Sequence, residues 1–173
     1  MKPNVTFAFL IILGFLITGC KQDVKIVDVK NVKIDLLNDE FPEAKAEVIA
    51  FMEELAATIK VNDVDKLISM HAYGPKFTGF SQGKKRASSI ENEKSERAMF
   101  ENPGELLQFN YDDLKIAVYG DVANVTFHSD FQFKFGDDLA VVNNQVTLLL
   151  VKTNGKWKFV HEHHSPLNKD KKE

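Results

Sequence analysis

The sequence predicts an α+β fold in which N-terminal helices pack on one face of a curved antiparallel sheet. Apolar residues recur with helical spacing between residues 42 and 100, whereas from residue 114 onward they alternate with polar residues, as in half-buried strands. The 173 residues are 44% hydrophobic and 27% charged, which suits one globular domain. A net charge of −3 argues against a nucleic-acid partner held by a basic surface.

The first 19 residues predict a targeting segment rather than part of the fold. Lys2 precedes an uncharged apolar run over residues 5–17, and small residues follow up to Cys20. An uncleaved membrane helix is the alternative, although the run is short for a span of about 20 residues. Cys20 is the only cysteine, so an intramolecular disulfide is impossible. Residues 21–40 alternate charged and β-branched residues, and we predict a tether there rather than an edge strand.

Two helices are expected next. The first begins at Pro42, and its buried face is predicted to carry Val48, Met52, Leu55 and Ile59. The second is short, with Asn62 as its predicted N-cap and His71 on its apolar face. Gly74-Pro75 ends it, and a short strand is expected over residues 77–81.

A third helix and a series of strands complete the predicted domain. Ser88 and Glu91 have the spacing of a capping box, which predicts a polar helix up to about residue 100. The clearest strand runs from residue 123 to 135. Its buried face is predicted to carry Ala123, Val125, Phe127, Ser129, Phe131, Phe133 and Phe135. The lysine-rich tail over residues 167–173 is predicted to be disordered.

The last hairpin decides which polar groups face the interior. Asn154-Gly155 is a strong type I′ turn signal, because both residues tolerate the positive φ that this turn requires. The resulting register places Leu150, Leu148 and Val146 opposite Phe159, His161 and His163. His161 and His163 are therefore predicted to point inward, and Glu162 and His164 outward. A bulge in this hairpin would reverse that assignment.

Several of these segments carry a family resemblance. The Gly120–Phe127 segment, the Thr147-x-Leu149-x-Val151 strand, and the Gly-Lys-Trp-Lys and His-x-His-x-Ser elements of residues 155–165 resemble the SnoaL-like branch of the nuclear-transport-factor-2-like superfamily, over residues 43–166. The resemblance implies a cone-shaped α+β barrel, cystatin-like in its arrangement, with a pocket between the helices and the concave sheet face. It also implies a homodimer formed through the sheet, and no single activity.

The end of the targeting segment has a resemblance of its own. Leu16-Ile17-Thr18-Gly19-Cys20 resembles the lipobox of bacterial lipoproteins, which implies that Cys20 is lipidated and becomes the N-terminus after cleavage. Residues 20–42 would then be the lipidated cysteine and its tether, with the membrane as a partner. The expected location is the bacterial cell envelope, and Lys21 is compatible with the outer membrane in a Gram-negative cell.

Candidate site residues follow from the predicted inward face. The pocket candidates are His161, His163, Trp157, Phe159, Phe127, Phe131, Leu148 and Tyr73. His161 and His163 are the best candidates for a general base. They would also suit a metal ion, but a third ligand is needed, and only His71 or an unplaced carboxylate offers itself. We therefore predict pocket-lining histidines, with no metal ligand and no cofactor.

Three functions remain open at this point. The first is a lipid-anchored envelope domain that binds a small, largely apolar ligand or a partner protein in its cone. The second is a small-molecule isomerase, dehydratase or cyclase-like enzyme that uses a pocket histidine as base. That enzyme would be favoured by an inward carboxylate, but the nearby acids Asp130 and Glu162 are predicted to face outward. The third is a structural dimeric module, which a filled cone would favour.

Overall fold

The computed structural model describes residues 33–167. Its elements in chain order are α1 (Pro42–Lys60), α2 (Val64–Ser69), β1 (Thr78–Ser81), α3 (Ser89–Glu101), β2 (Glu105–Tyr119), β3 (Val122–Phe135), β4 (Asp138–Val142), β5 (Asn144–Thr153) and β6 (Lys156–Pro166). The predicted targeting segment, Cys20, most of the tether and nearly all of the tail lie outside these residues. Within the described part, no helix is long and apolar enough to span a bilayer.

The helices form where capping and apolar spacing predict them, with one correction. α1 begins at Pro42 and buries Val48, Met52 and Leu55 as expected. The N-cap of α2 is Asp63 rather than Asn62, because the Asp63 side chain accepts a hydrogen bond from the backbone N–H three residues on. α3 starts with the predicted capping box, in which the Ser88 and Glu91 side chains each bond the other residue's backbone N–H.

The strands form one curved sheet in the order β1-β6-β5-β3-β2, with β4 also paired to β3. The β1–β6 pair is parallel and the other pairs are antiparallel. The predicted α+β fold class is therefore confirmed. β2 begins nine residues before the predicted strand at Leu114, because register shifts between Leu106 and Gln108 and between Asp112 and Lys115 interrupt the alternation. The strand expected before the last hairpin is divided at Asn143 into β4 and β5.

The last hairpin has the predicted turn but not the predicted register. Asn154 and Gly155 have φ of 51° and 73°, and pairing follows the prediction as far as Leu150 and Phe159. A bulge comes next: Leu149 pairs with His161, so Val160 is an extra residue in β6. Every later side chain of β6 is on the opposite face. His161 and His163 thus lie on the outer face, while Glu162 and His164 lie on the inner face, and the predicted orientation is wrong.

The bulge lies where β6 changes its second neighbour. Before it, the backbone of Phe159 donates to Met70 and accepts from Ala72, at 3.0 and 2.8 Å. After it, His161 pairs with Thr78 of β1. Because the segment 70–72 and β1 approach β6 in succession, the extra residue lets each of them bond the strand.

The space between helices and sheet is filled by apolar side chains. Four residues predicted to line a pocket belong to this core and are nearly inaccessible: Phe127, Leu148, Trp157 and Phe159. Phe159 contacts Phe51 of α1 edge to face, with ring centroids 4.9 Å apart. The indole N–H of Trp157 donates to Glu47 of α1 at 2.9 Å. The predicted apolar lining is therefore packed against itself and against α1.

Candidate functional site

A polar cluster lies beside this apolar core, where three elements meet. His71 follows α2, Glu96 lies in the middle of α3, and Glu162 is on β6 just beyond the bulge. All three residues are buried, with relative exposures of 6%, 9% and 9%. Charged groups rarely lie at such depth unless they are paired, so their partners define what the cluster can do.

Both carboxylates converge on one atom. The His71 Nε2 is 2.6 Å from Glu162 Oε1 and 3.3 Å from Glu96 Oε1. Its other ring nitrogen, Nδ1, lies 2.9 Å from the carbonyl oxygen of Leu67, one turn earlier in the chain. That carbonyl can only accept, so Nδ1 carries a hydrogen and Nε2 is the nitrogen presented to the acids.

Two further side chains orient the carboxylate of Glu96. The Tyr73 hydroxyl donates to Glu96 Oε2 at 2.7 Å. Asn92, one helical turn before Glu96, donates to the Tyr73 oxygen at 2.9 Å. The Tyr73 ring also stacks on the imidazole of His71, with centroids 4.7 Å apart. These direct contacts orient both the ring of His71 and the carboxylate of Glu96.

The electrostatic consequences are large because the cluster is buried. Burial disfavours the imidazolium of His71, but the hydrogen bonds to Glu162 and then Glu96 outweigh it and raise the pKa of His71 to about 10. Burial opposes ionisation of Glu162 too, yet its bond to His71 leaves the pKa of this carboxyl below its usual value. Burial raises the pKa of the Tyr73 hydroxyl well above normal, so it remains a hydrogen-bond donor.

One edge of the cluster is open. The His71 side chain has no exposed surface, whereas the Glu96 and Glu162 side chains are each 12% exposed. His164 lies at this edge, with Nε2 3.9 Å from Glu162 Oε2 and a third of its side chain exposed. Burial lowers the pKa of His164. The two carboxylates therefore keep a small solvent-exposed fraction beside His164, whereas the imidazole of His71 keeps none.

The structure distributes the predicted site residues over different places. Tyr73 belongs to the cluster. His161 Nδ1 lies 2.8 Å from the Thr78 hydroxyl at the outer face, and Phe131 stacks on Phe109 at 3.9 Å between centroids. His163 lines a shallow outer depression of about 270 Å³, also bordered by Thr126, His128, Gln145, Thr147 and Ser165. The two histidines predicted as bases thus lie away from the inner carboxylates.

Sequence reasoning missed most of the cluster. The sequence predicts His71 on the apolar face of the second helix and offers it as a third metal ligand, and it places Glu162 and His164 on the wrong face. Nothing local distinguishes Glu96 and Asn92 from the other polar residues of α3. The one usable signal was the burial predicted for His71 on an apolar helix face, since a buried histidine requires partners.

The fold and this inner polar site define a class of protein. Helices packed on one face of a curved six-stranded sheet are the arrangement of nuclear-transport-factor-2-like proteins. The family model for the SnoaL-like domain matches residues 48–169. The chain belongs to the SnoaL-like domain family.

Solved structures agree on the fold. A candidate dehydratase of the NTF2-like family from Streptomyces avermitilis is 20% identical, with a TM-score of 0.65 over 73% of this chain and 98% of that one. An NTF2-like protein of unknown function from Pseudomonas putida KT2440 is 18% identical, with a TM-score of 0.61 over 76% and 93%. A CaMKII hub homology domain from Chlamydomonas reinhardtii is 22% identical, with a TM-score of 0.58 over 72% and 98%. No curated protein matches the chain.

Proposed function

We propose that this SnoaL-like domain binds a small molecule at the His71–Glu96–Glu162 cluster while a lipid on Cys20 holds it at the bacterial cell envelope. One observation carries the proposal: two inward carboxylates converge on a buried imidazole and remain partly open to solvent. A domain needs no such arrangement for a core that apolar packing already fills. Ligand sites typically place a few convergent polar groups beside an apolar wall, and this cluster has that setting.

The ligand expected here differs from the apolar one that the sequence suggested. Phe127, Leu148 and Phe159 pack on one another, so they support a core rather than a lining. The partly exposed side chains of the cluster are those of Glu96, Glu162 and His164. Carboxylates accept hydrogen bonds and attract positive charge, so a ligand with a cationic or hydrogen-bond-donating group fits best.

Ligand-observed NMR tests this binding. The full-length protein in detergent micelles, kept in chelator, is mixed with a library of small amines, polyols, neutral aromatics and carboxylic acids. Saturation transfer to amines or polyols should be lost in Glu162→Gln. It should persist in Glu93→Gln, a matched change on the exposed side of α3, where Glu93 pairs with Arg97 at 2.9 Å. Equal signals in both variants would refute the site, and no binding from any class would favour a structural module.

Acid–base catalysis is a second candidate function, supported by a separate observation. An isomerase-like site requires an inward carboxylate near a hydroxyl donor, and Glu96 with Tyr73 at 2.7 Å supplies that pair. Enzymes that remove a proton next to a carbonyl exchange it with solvent. Wash-in of deuterium from D₂O into a panel of small ketones and keto acids is the assay. Exchange that Glu96→Gln reduces by about 10²-fold would support catalysis, and its absence across the panel would leave binding alone.

The envelope location rests on the sequence ending at Cys20, which lies outside the described residues. Lipidation there would hold the domain near the membrane through a tether of about 20 residues. A Cys20→Ser variant should remain unprocessed, and therefore larger on gel electrophoresis, and should not incorporate labelled fatty acid, whereas Ser81→Ala should behave as wild type. Unchanged processing and fatty-acid labelling of Cys20→Ser would contradict the proposal.

A homodimer through the sheet remains part of the proposal. The names of two structurally similar proteins, an association domain from Exiguobacterium sibiricum and the algal hub homology domain, refer to assembly. The outer face of this sheet carries Thr126, Thr147 and His163 around its shallow depression. Sedimentation velocity should show a dimer that Thr147→Arg disrupts and Lys45→Glu, on α1, does not. A monomer at micromolar concentration would contradict it.

A further inference from the structure

We propose that His71, Glu96 and Glu162 are the protein ligands of a divalent transition-metal ion, for which zinc is the representative probe. The three residues offer ligand atoms that all lie within 4.8 Å of one another. This inference rests on the cluster being the binding site of the domain, and it names the ligand class. It departs from the sequence-based expectation of no metal ligand.

The spacing of the ligand atoms suits a tetrahedral ion. Bonds of about 2.0 Å to nitrogen and oxygen place neighbouring ligand atoms about 3.3 Å apart. Nε2 of His71 and Oε1 of Glu96 are already 3.3 Å apart. Oε1 of Glu162 lies closer, at 2.6 Å from Nε2, and a modest rotation of this carboxylate away from the ring would admit the ion. The metal would take the place of the Nε2 hydrogen, so each ion bound releases one proton from an imidazolium.

His71 and Glu96 have the kinds of hydrogen-bond partners that metal-ligating side chains usually have in proteins. A ligating histidine usually donates its second ring N–H to a carbonyl or carboxylate, and His71 Nδ1 has that relation to Leu67 at 2.9 Å. Ligating carboxylates are usually hydrogen-bonded in turn. The Tyr73 hydroxyl holds Oε2 of Glu96 and leaves Oε1 directed at the ring.

Charge balance supports the same conclusion independently of the protonation of His71. Within residues 33–167 neither buried carboxylate has an ion pair with a lysine or an arginine, and the charged or polar groups around them are His71, His164, Tyr73 and Asn92. Two carboxylates beside a neutral imidazole carry −2, and beside an imidazolium they carry −1. A dication with a neutral imidazole makes the trio neutral while both carboxylates stay ionised, whereas burial penalises the net charge of the two states without an ion.

A fourth coordination position is available at the open edge. His164 Nε2 is 3.9 Å from Glu162 Oε2, and its side chain is 34% exposed. His164 is not one of the three residues whose ligand atoms lie within 4.8 Å of one another, so a water molecule, or this ring after it moves towards the trio, would complete the tetrahedron. Imidazole with carboxylate favours zinc or a similar borderline ion over calcium and magnesium, which prefer oxygen alone.

Titration of the chelator-stripped full-length protein with zinc, followed by calorimetry, tests the proposal. One ion per chain is expected, with affinity reduced at least 10-fold in Glu162→Gln and in Glu96→Gln. Glu93→Gln and His163→Gln are the matched controls, the second because His163 lines the shallow depression on the outer face of the sheet. Their affinities should equal that of wild type. Loss of binding in His163→Gln with retention in both cluster variants would overturn the proposal, as would the absence of stoichiometric binding.

A variant could lose zinc binding simply because it does not fold, so a second measurement uses the wild-type protein. Cobalt replaces zinc in such sites and broadens NMR signals of nearby protons. The rings of His71 and Tyr73 should broaden at one equivalent while His161 and His128 do not. Broadening confined to the outer histidines would refute the site. The organic-ligand screen is run in chelator, so the two proposals can fail separately. Binding of amines or polyols without zinc binding would refute only the metal-site proposal. Zinc binding without binding of organic ligands would refute only the small-molecule proposal.

Discussion

The pH dependence of stability gives the sharpest test of the buried cluster. The pKa of His71 is about 10 in the folded protein and near 6.5 when the chain is unfolded. A pKa raised by folding contributes stability that is fully present below 6.5 and is lost as the pH rises towards 10. Between these limits the folded chain holds about one proton more than the unfolded chain. The free energy of unfolding should therefore fall by about 1.4 kcal/mol per pH unit, or about 5 kcal/mol in all.

Urea denaturation in chelator between pH 6 and pH 10.5 measures this slope, with the proton as the only occupant of Nε2. Glu162→Gln should shorten the sloping range, because His71 then keeps only the longer contact to Glu96 at 3.3 Å. Glu93→Gln leaves the cluster intact and should preserve the wild-type slope. Below about pH 4.5 stability should fall again, since the stability from the lowered pKa of Glu162 is fully present only while that group is ionised in both states and is lost as the pH falls towards its folded-state pKa. An unfolding free energy that stays constant from pH 6.5 to pH 10 would refute the proposed ion pairing.

Two further predictions concern the sheet. Phe127→Ala should lower the free energy of unfolding by about 3 to 5 kcal/mol, because Phe127 is a core side chain with 5% exposure. His128→Ala, on the outer face, should lower it far less. Equal shifts of the two variants in denaturant melts would contradict the assigned faces. Gly155→Ala should cost about 1 to 2 kcal/mol, since φ is 73° there and nothing else crowds the position. Gly74→Ala has similar space without positive φ, so a loss as large as that of Gly155→Ala would show that the turn is not the cause.

The sequence correctly predicted those parts of the fold that depend on contacts between residues close together in the chain. The periodicity of α1, the capping box at Ser88 and the Asn154-Gly155 turn each depend on contacts within a few residues. The alternation of β3 likewise identifies its buried face as far as Ser129, whereas Phe135, predicted on the same face, is 38% exposed. These signals were sufficient for the fold class, because helices followed by antiparallel strands allow few arrangements.

The site was missed because its geometry depends on distant contacts. Turn geometry correctly set the register up to Phe159, but the bulge at Val160 follows from the successive approach of residues 70–72 and β1. These partners lie about 80 to 90 residues earlier in the chain, and the sequence of β6 itself does not predict them. One extra residue moves every later side chain of a strand to the opposite face of the sheet. The bulge therefore places Glu162 and His164 on the inner face, where His161 and His163 were predicted.

The position of β6 has a consequence for how the chain becomes a folded protein. The last strand lies between β5 and the early strand β1, and Thr78 reaches its partner His161 across 83 residues. The sheet therefore cannot close, nor can Glu162 meet His71, until nearly the whole chain is available. Closing so long a loop is slow compared with forming a local hairpin. Pairing of β6 with both of its neighbours is therefore the step that completes the domain.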